Sequence, residues 1–208
     1  MRNLLNKIYN KIKVAYNYVR IELNLNFGVP FNYLLDKPIA DASVYKNLHD
    51  EIKYIKHENI DNFEKKCGYS IEKSWLDNLA LHTQIVVKKS KLNYQHGRIL
   101  YCCLRDYLAK NNEINILETG TSKGFSSICM SKAIKDSGKE GKIFTIDIIP
   151  HKRKMYWNGI SDTEGKISRK NLLEPWSDYT EIINFLHGRT NKIIKTINLE
   201  RINFAFLD

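Results

Sequence analysis

The stretch Asn115-Ile-Leu-Glu-Thr-Gly-Thr-Ser-Lys-Gly-Phe-Ser-Ser127 decides how this chain is read. It begins as a short apolar strand, reaches an acid at Glu118, turns through Gly120 and Gly124, and runs into the helical sequence Ser126-Ser-Ile-Cys-Met-Ser-Lys-Ala-Ile134. Glycine permits positive φ and close backbone approach, and a helix start offers N–H groups with no intrahelical partner. Strand, turn and helix start together predict a backbone cradle for a nucleotide-like ligand.

Reading outward, Lys142-Ile-Phe-Thr-Ile146 is a second strand and closes on Asp147. That acid lies roughly twenty residues beyond the turn, where nucleoside-binding folds place their ribose carboxylate. A third strand, residues 181–186, runs into His187-Gly188-Arg189-Thr190, and a helix is expected over 191–197. The fourth strand, Ile202-Asn-Phe-Ala-Phe-Leu207, ends on Asp208. Strands alternating with helices imply βαβ units, a parallel sheet and right-handed crossovers. Upstream, residues 94–108 carry one apolar stripe, Ile99, Leu100, Cys103, Leu104 and Leu108, and residues 74–82 read as a helix capped by Ser74. His96 at the start of the longer helix reads as a cap or surface residue before it reads as a ligand contact. Tyr156 and Trp157 offer a stacking surface or simply pack a loop.

The pattern Glu118-x-Gly120-x-x-x-Gly124, with an acid closing the next strand, resembles motif I and the post-I acid of class I S-adenosylmethionine-dependent methyltransferases. From about Ser74 the chain resembles the methyltransferases grouped as type 24, and the motifs are specific from Ile114. The family's fuller motif, acid-x-Gly-x-Gly-x-Gly, is broken by Ser122 at the middle glycine. The turn Thr119-Gly120-x-x-x-Gly124-x-Ser126 also resembles that of short-chain dehydrogenases, with Ser126 for the last glycine. Glu118 and the acid at 208 favour the methyltransferase, and an NAD(P)-dependent oxidoreductase is the alternative.

The resemblance implies an α/β fold: a Rossmann-like parallel sheet with helices on both faces, comprising the first four strands of a class I methyltransferase. It implies that Glu118, Gly120, Thr121, Ser122 and Gly124 hold the methionine end of S-adenosylmethionine. Asp147 would hold the ribose, and Gly188 and Thr190 would lie by the adenine. Where the family has an acidic turn after the third strand, this chain has Gly188-Arg189-Thr190. Asp208 matches motif IV of small-molecule O-methyltransferases and is the catalytic candidate. In some of those enzymes that acid ligates a divalent metal, so Asp208 is also a candidate metal ligand, with Mg as the ion. The implied acceptor is an oxygen of a small molecule or glycan precursor. The family's sheet continues beyond a fourth strand, so the sequence is expected to be a C-terminally incomplete version of a longer enzyme and inactive by itself.

The domain expectation is an N-terminal helical extension over 1–73 and the partial methyltransferase domain over 74–208. Apolar positions from Leu4 to Leu23 have helical spacing with lysines mostly off the stripe. Such a helix packs on the domain or a partner chain, a homo-oligomer included, in preference to a membrane surface. A non-catalytic interaction module is the reading from a different class. At 208 residues the chain holds one sizeable core. Its net charge of +10 is spread along the sequence rather than clustered, which argues against a nucleic-acid partner. Cys67, Cys102, Cys103 and Cys129 have no metal-ligand spacing. Reduced cysteines and no leader pattern point to the cytoplasm.

Overall fold

Residues 37–197 and 201–207 are described in the computed structural model of the chain. The amphipathic stripe expected before Gly28 and the acid at 208 lie outside them. A compact unit spans Leu35–Asp208. It opens with three helices, α1 (Ala42–Ile52), α2 (Glu58–Cys67) and α3 (Lys73–Thr83), followed by α4 (His96–Lys110). Then come β1 (Glu113–Thr119), α5 (Phe125–Ser137) and β2 (Glu140–Asp147). Short helices α6 (Arg169–Leu172) and α7 (Ser177–Thr180) lead to β3 (Ile183–His187), and α8 (Thr190–Ile193) precedes β4 (Phe204–Leu207).

The four strands are parallel in the order β3-β2-β1-β4. This is the Rossmann-like arrangement expected from the strand–helix alternation. Register places Ile116 beside Ile143, and Ile143 beside Ile183, so one face carries a row of β-branched side chains. That row packs with Ile128, Ala133 and Ile134 of α5 and Leu104 and Leu108 of α4 in one buried cluster. Burying each such side chain contributes about 1.5–3 kcal/mol. Gly97 lets the two helices meet: a Cβ there would stand 2.8 Å from Phe125 Cζ and 2.9 Å from Cys129 Sγ.

Helix ends follow local chemistry. At the end of α4, Asn111 turns extended and its side-chain amide donates to the Tyr107 carbonyl at 2.8 Å. Gly138 closes α5 in the left-handed conformation, its N–H on Lys135 O. Ser74 is not the cap of α3, which starts at Lys73 after Glu72. Instead the Ser74 hydroxyl donates to the Glu72 carboxylate, a stronger acceptor than a backbone group. The helices before residue 74 share the core: Tyr45 of α1 is fully buried and clusters with Leu76, Leu79 and Ile116. Described residues on both sides of position 73/74 thus contribute to one buried cluster.

Candidate functional site

The turn after β1 is left-handed at three positions, Gly120 (φ 82°), Ser122 (φ 50°) and Gly124 (φ 97°). Gly120 N–H donates to Ile146 O at 2.9 Å, which ties the turn to β2. Gly124 is required twice over, by its φ and because a Cβ would meet Leu173 Cδ1 at 2.8 Å. Ser122 is the unusual member, since a residue with a Cβ resists positive φ. Its backbone is held from both sides: Ser122 N–H donates to Asp147 Oδ2 at 2.6 Å, and its carbonyl accepts from Arg169 Nε at 2.6 Å. Beside it, the Thr121 and Thr145 hydroxyls are hydrogen-bonded at 2.5 Å.

Glu118 is fully buried under the start of α5. Its two carboxylate oxygens accept from the Ser126 and Ser127 hydroxyls. Burial pushes its carboxyl up from the ordinary value, and those hydroxyls, Thr145 and Arg169 pull the other way. What Glu118 offers a ligand thus passes through the serines rather than from a bare oxygen.

Asp147 ends β2 and is nearly buried. Besides Ser122 N–H, it accepts from Ile149 N–H at 2.7 Å on Oδ1 and from Arg169 Nη2 at 3.2 Å on Oδ2. A carboxylate has about four acceptor positions, so one remains, on Oδ1. Arg169 was not singled out by the sequence. It sits in α6, is 1% exposed, and adds a third bond from Nη1 to Ile149 O at 3.2 Å. Burial lowers its pKa, against the pull of Asp147 and Glu118. One guanidinium thus ties the glycine turn to the exit of β2.

The exit of β3 joins the same set. Gly188 N–H donates to Asp147 O at 2.8 Å, and a Cβ at Gly188, whose φ is 141°, would meet Ile193 at 2.8 Å. Thr190 opens α8 two positions on. Trp157 packs its loop rather than presenting a free face: it is 5% exposed, Nε1 donates to Ile167 O at 2.9 Å, and Arg169 lies over the ring. His96 is set against Phe125 and Phe206.

Hydrogen bonds therefore join Gly120, Ser122, Asp147 and Gly188 into one framework, with Thr121 and Gly124 inside its turn and Glu118 at the end of β1 before it. These residues fit a nucleoside bearing an amino-acid tail. The first N–H groups of α5 suit a carboxylate, Glu118 places negative charge behind the turn, and Asp147 keeps one acceptor for a hydroxyl. Among the described residues no group of three or more His, Cys, Asp or Glu could hold a metal ion, and Asp208, on which the metal expectation rests, is outside them. A separate cleft of about 590 Å³ is lined by Tyr54, Asp77, Tyr94 and Arg98 but by no residue of the turn. Its Arg98 is already paired with Asp61 and Glu64, and its Lys73 with Asp77. At the turn, by contrast, backbone donors and an acid converge. Among the described residues no helix is long and apolar enough to cross a membrane.

Residues 117–208 match the family profile described as a methyltransferase domain. No curated protein sequence matches the chain. Among solved structures, the chain is similar to the SAH-bound Podospora anserina methyltransferase PaMTH1 at 16% identity, over 74% of this chain and 58% of that one, with a TM-score of 0.45. It is similar to the O-methyltransferase TomG from Streptomyces achromogenes at 20% identity, over 73% and 60%, with a TM-score of 0.43. A putative O-methyltransferase from Klebsiella pneumoniae shares 14% identity over 80% and 59%, with a TM-score of 0.39. The chain spans 58% and 60% of the first two of these structures. The match to the methyltransferase-domain profile thus falls on the segment 117–208, which holds the glycine turn after the first parallel strand and the acid closing the second.

Proposed function

We propose that the chain binds S-adenosylmethionine across the ends of β1, β2 and β3 and serves transfer of its methyl group to an oxygen of a small-molecule or glycan-precursor acceptor. The observation that carries this reading is the hydrogen bond from Ser122 N–H to Asp147, which makes the glycine turn and the second-strand acid one preformed cradle. The family match over 117–208 supports it. When bound, the cofactor supplies an electrophilic methyl group on a sulfonium.

The chain's own residues bind and orient. The N–H groups at the start of α5 receive the carboxylate of the amino-acid tail. Glu118, through Ser126 and Ser127, favours the ammonium. Asp147 accepts from a ribose hydroxyl at its remaining position, and Gly188 and Thr190 border the base. Methyl transfer is an in-line displacement, so holding donor and acceptor in line carries much of the rate. The Arg169 cross-link serves that purpose by stiffening the turn. Asp208 is the residue proposed to act on the acceptor hydroxyl, directly or as a ligand to Mg. A cytoplasmic setting and a homo-oligomeric assembly belong to the same proposal.

The test is equilibrium dialysis of the chain with S-adenosylhomocysteine, NAD and NADP in competition. The reading expects S-adenosylhomocysteine to bind and neither nicotinamide cofactor to displace it. Preferential binding of NAD or NADP would replace this reading with the dehydrogenase one.

A further inference from the structure

His151 lies just past the end of β2, and its ring stacks on Phe185 of β3 with centroids 3.9 Å apart and planes inclined by 17°. Phe185 is in register with Thr145, one step of the same face before Asp147 and His187. The imidazole therefore stands at the exits of the two strands between which the proposed cradle closes. Its Nδ1 is buried and has no hydrogen-bond partner. The residue as a whole keeps intermediate exposure, and its Nε2 is not among the buried atoms that lack a partner.

Burying an N–H with no acceptor is costlier than burying an unpaired lone pair, so the single proton of a neutral ring belongs on Nε2. The ring is neutral because burial, then Arg169, Lys152 and Lys170, lower its pKa to about 4. A neutral imidazole with its proton on Nε2 is a hydrogen-bond donor near pH 7, and a poor proton acceptor. The segment Gly188-Arg189-Thr190 brings no carboxylate to this end of the site.

We propose that His151 determines specificity for the purine of the cofactor, its Nε2–H donating to a ring nitrogen of the base while Phe185 holds the imidazole flat. The inference rests on the proposed S-adenosylmethionine site and deepens it. It assigns base recognition to a neutral donor after the second strand, where the third-strand exit lacks the family's acid.

The experiment is calorimetric titration of wild type, H151F and H151Q with S-adenosylhomocysteine and its 1-deaza, 3-deaza and 7-deaza analogues. Each analogue replaces one ring nitrogen with a C–H. In wild type, one of the three should bind roughly fivefold or more weakly than the parent, the effect of one lost hydrogen bond. H151F keeps an aromatic ring on Phe185 but has no donor, so it should bind parent and analogue alike. H151Q restores a donor and should recover part of the discrimination. Wild type binding all four ligands equally, or H151F discriminating as wild type does, overturns the inference while leaving the site intact. Wild type binding none of them overturns the cofactor reading, and this inference with it. Should H151F not fold, the imidazole ¹⁵N resonances of wild type decide instead. S-adenosylhomocysteine must shift Nε2, and an unmoved Nε2 counts against the proposal.

Discussion

Arg169 and Asp147 form an ion pair at the mouth of the cradle, Nη2 to Oδ2 at 3.2 Å, with side chains only 2% and 8% exposed. The same guanidinium binds the carbonyls of Ser122 and Ile149. Asp147 is thus a joint of the framework before it is a ligand contact, and its replacement acts on folding as well as on binding.

Asp147→Ala leaves a buried guanidinium without its carboxylate and the Ser122 and Ile149 amides without acceptors. Removing one partner of a buried pair costs about 3–5 kcal/mol. Urea unfolding should show that loss. Asp147→Asn keeps the side-chain oxygen and should lose less, so it is the better variant for reading cofactor affinity. Equal stability of Asp147→Ala and wild type would contradict the cross-link.

Glu118 is a buried carboxyl whose pKa is raised chiefly by desolvation. Its contribution to stability is therefore present below about pH 4.5, where the unfolded residue is also protonated, and is lost as pH rises through its folded value. Glu118→Gln removes that loss. At pH 7 the variant should be at least as stable as wild type, yet bind S-adenosylhomocysteine more weakly for want of a negative charge behind the serines. A destabilised variant with unchanged affinity would show that Glu118 serves the fold alone.

Two glycines separate strain from crowding. Gly138→Ala meets nothing within 4 Å at φ 65° and should cost about 1–2 kcal/mol, from the left-handed backbone alone. Gly124→Ala, at a φ of 97° that lies further from the favoured left-handed region, adds a 2.8 Å clash with Leu173 to a larger backbone strain. Overpacking contributes about 1–3 kcal/mol more. Comparing the two melting temperatures checks the difference, and equal losses would mean that Leu173 yields freely.

His151 gives stability a slope in acid. The unfolded imidazole titrates near 6.5 and the folded one at about 4. Between these values the unfolded chain binds the extra proton, so stability falls as pH drops from 6.5 towards 4. His151→Phe should flatten that part of the profile in urea unfolding, and an unchanged slope would place the group elsewhere.

The sequence made the sheet and the cradle legible because both are written locally. An apolar strand, a glycine turn and a helix start are contiguous, and Asp147 closes a strand of its own. Ser126 and Ser127 were visible too, but only the fold shows that their hydroxyls face back onto Glu118 and bury it. Arg169 was not legible, since its three acceptors come from the turn and from Asp147 and Ile149, distant in sequence and joined only by folding. His151 gave a single weak sign, a histidine after Pro150, and the stacking partner that gives it meaning is on another strand. The mistaken cap at Ser74 came from a local preference overruled by a nearby carboxylate.

The central claim is that the glycine turn, the end of β2 and the exit of β3 form one S-adenosylmethionine site. Its most direct measurement is a backbone amide ¹H–¹⁵N spectrum of the chain titrated with S-adenosylhomocysteine. The account predicts saturable shifts at Gly120, Ser122, the first residues of α5, Ile149 and Gly188, and little change around Tyr54, Tyr94 and Arg98. Shifts confined to that second cleft, or an unchanged spectrum at saturating ligand, would contradict it.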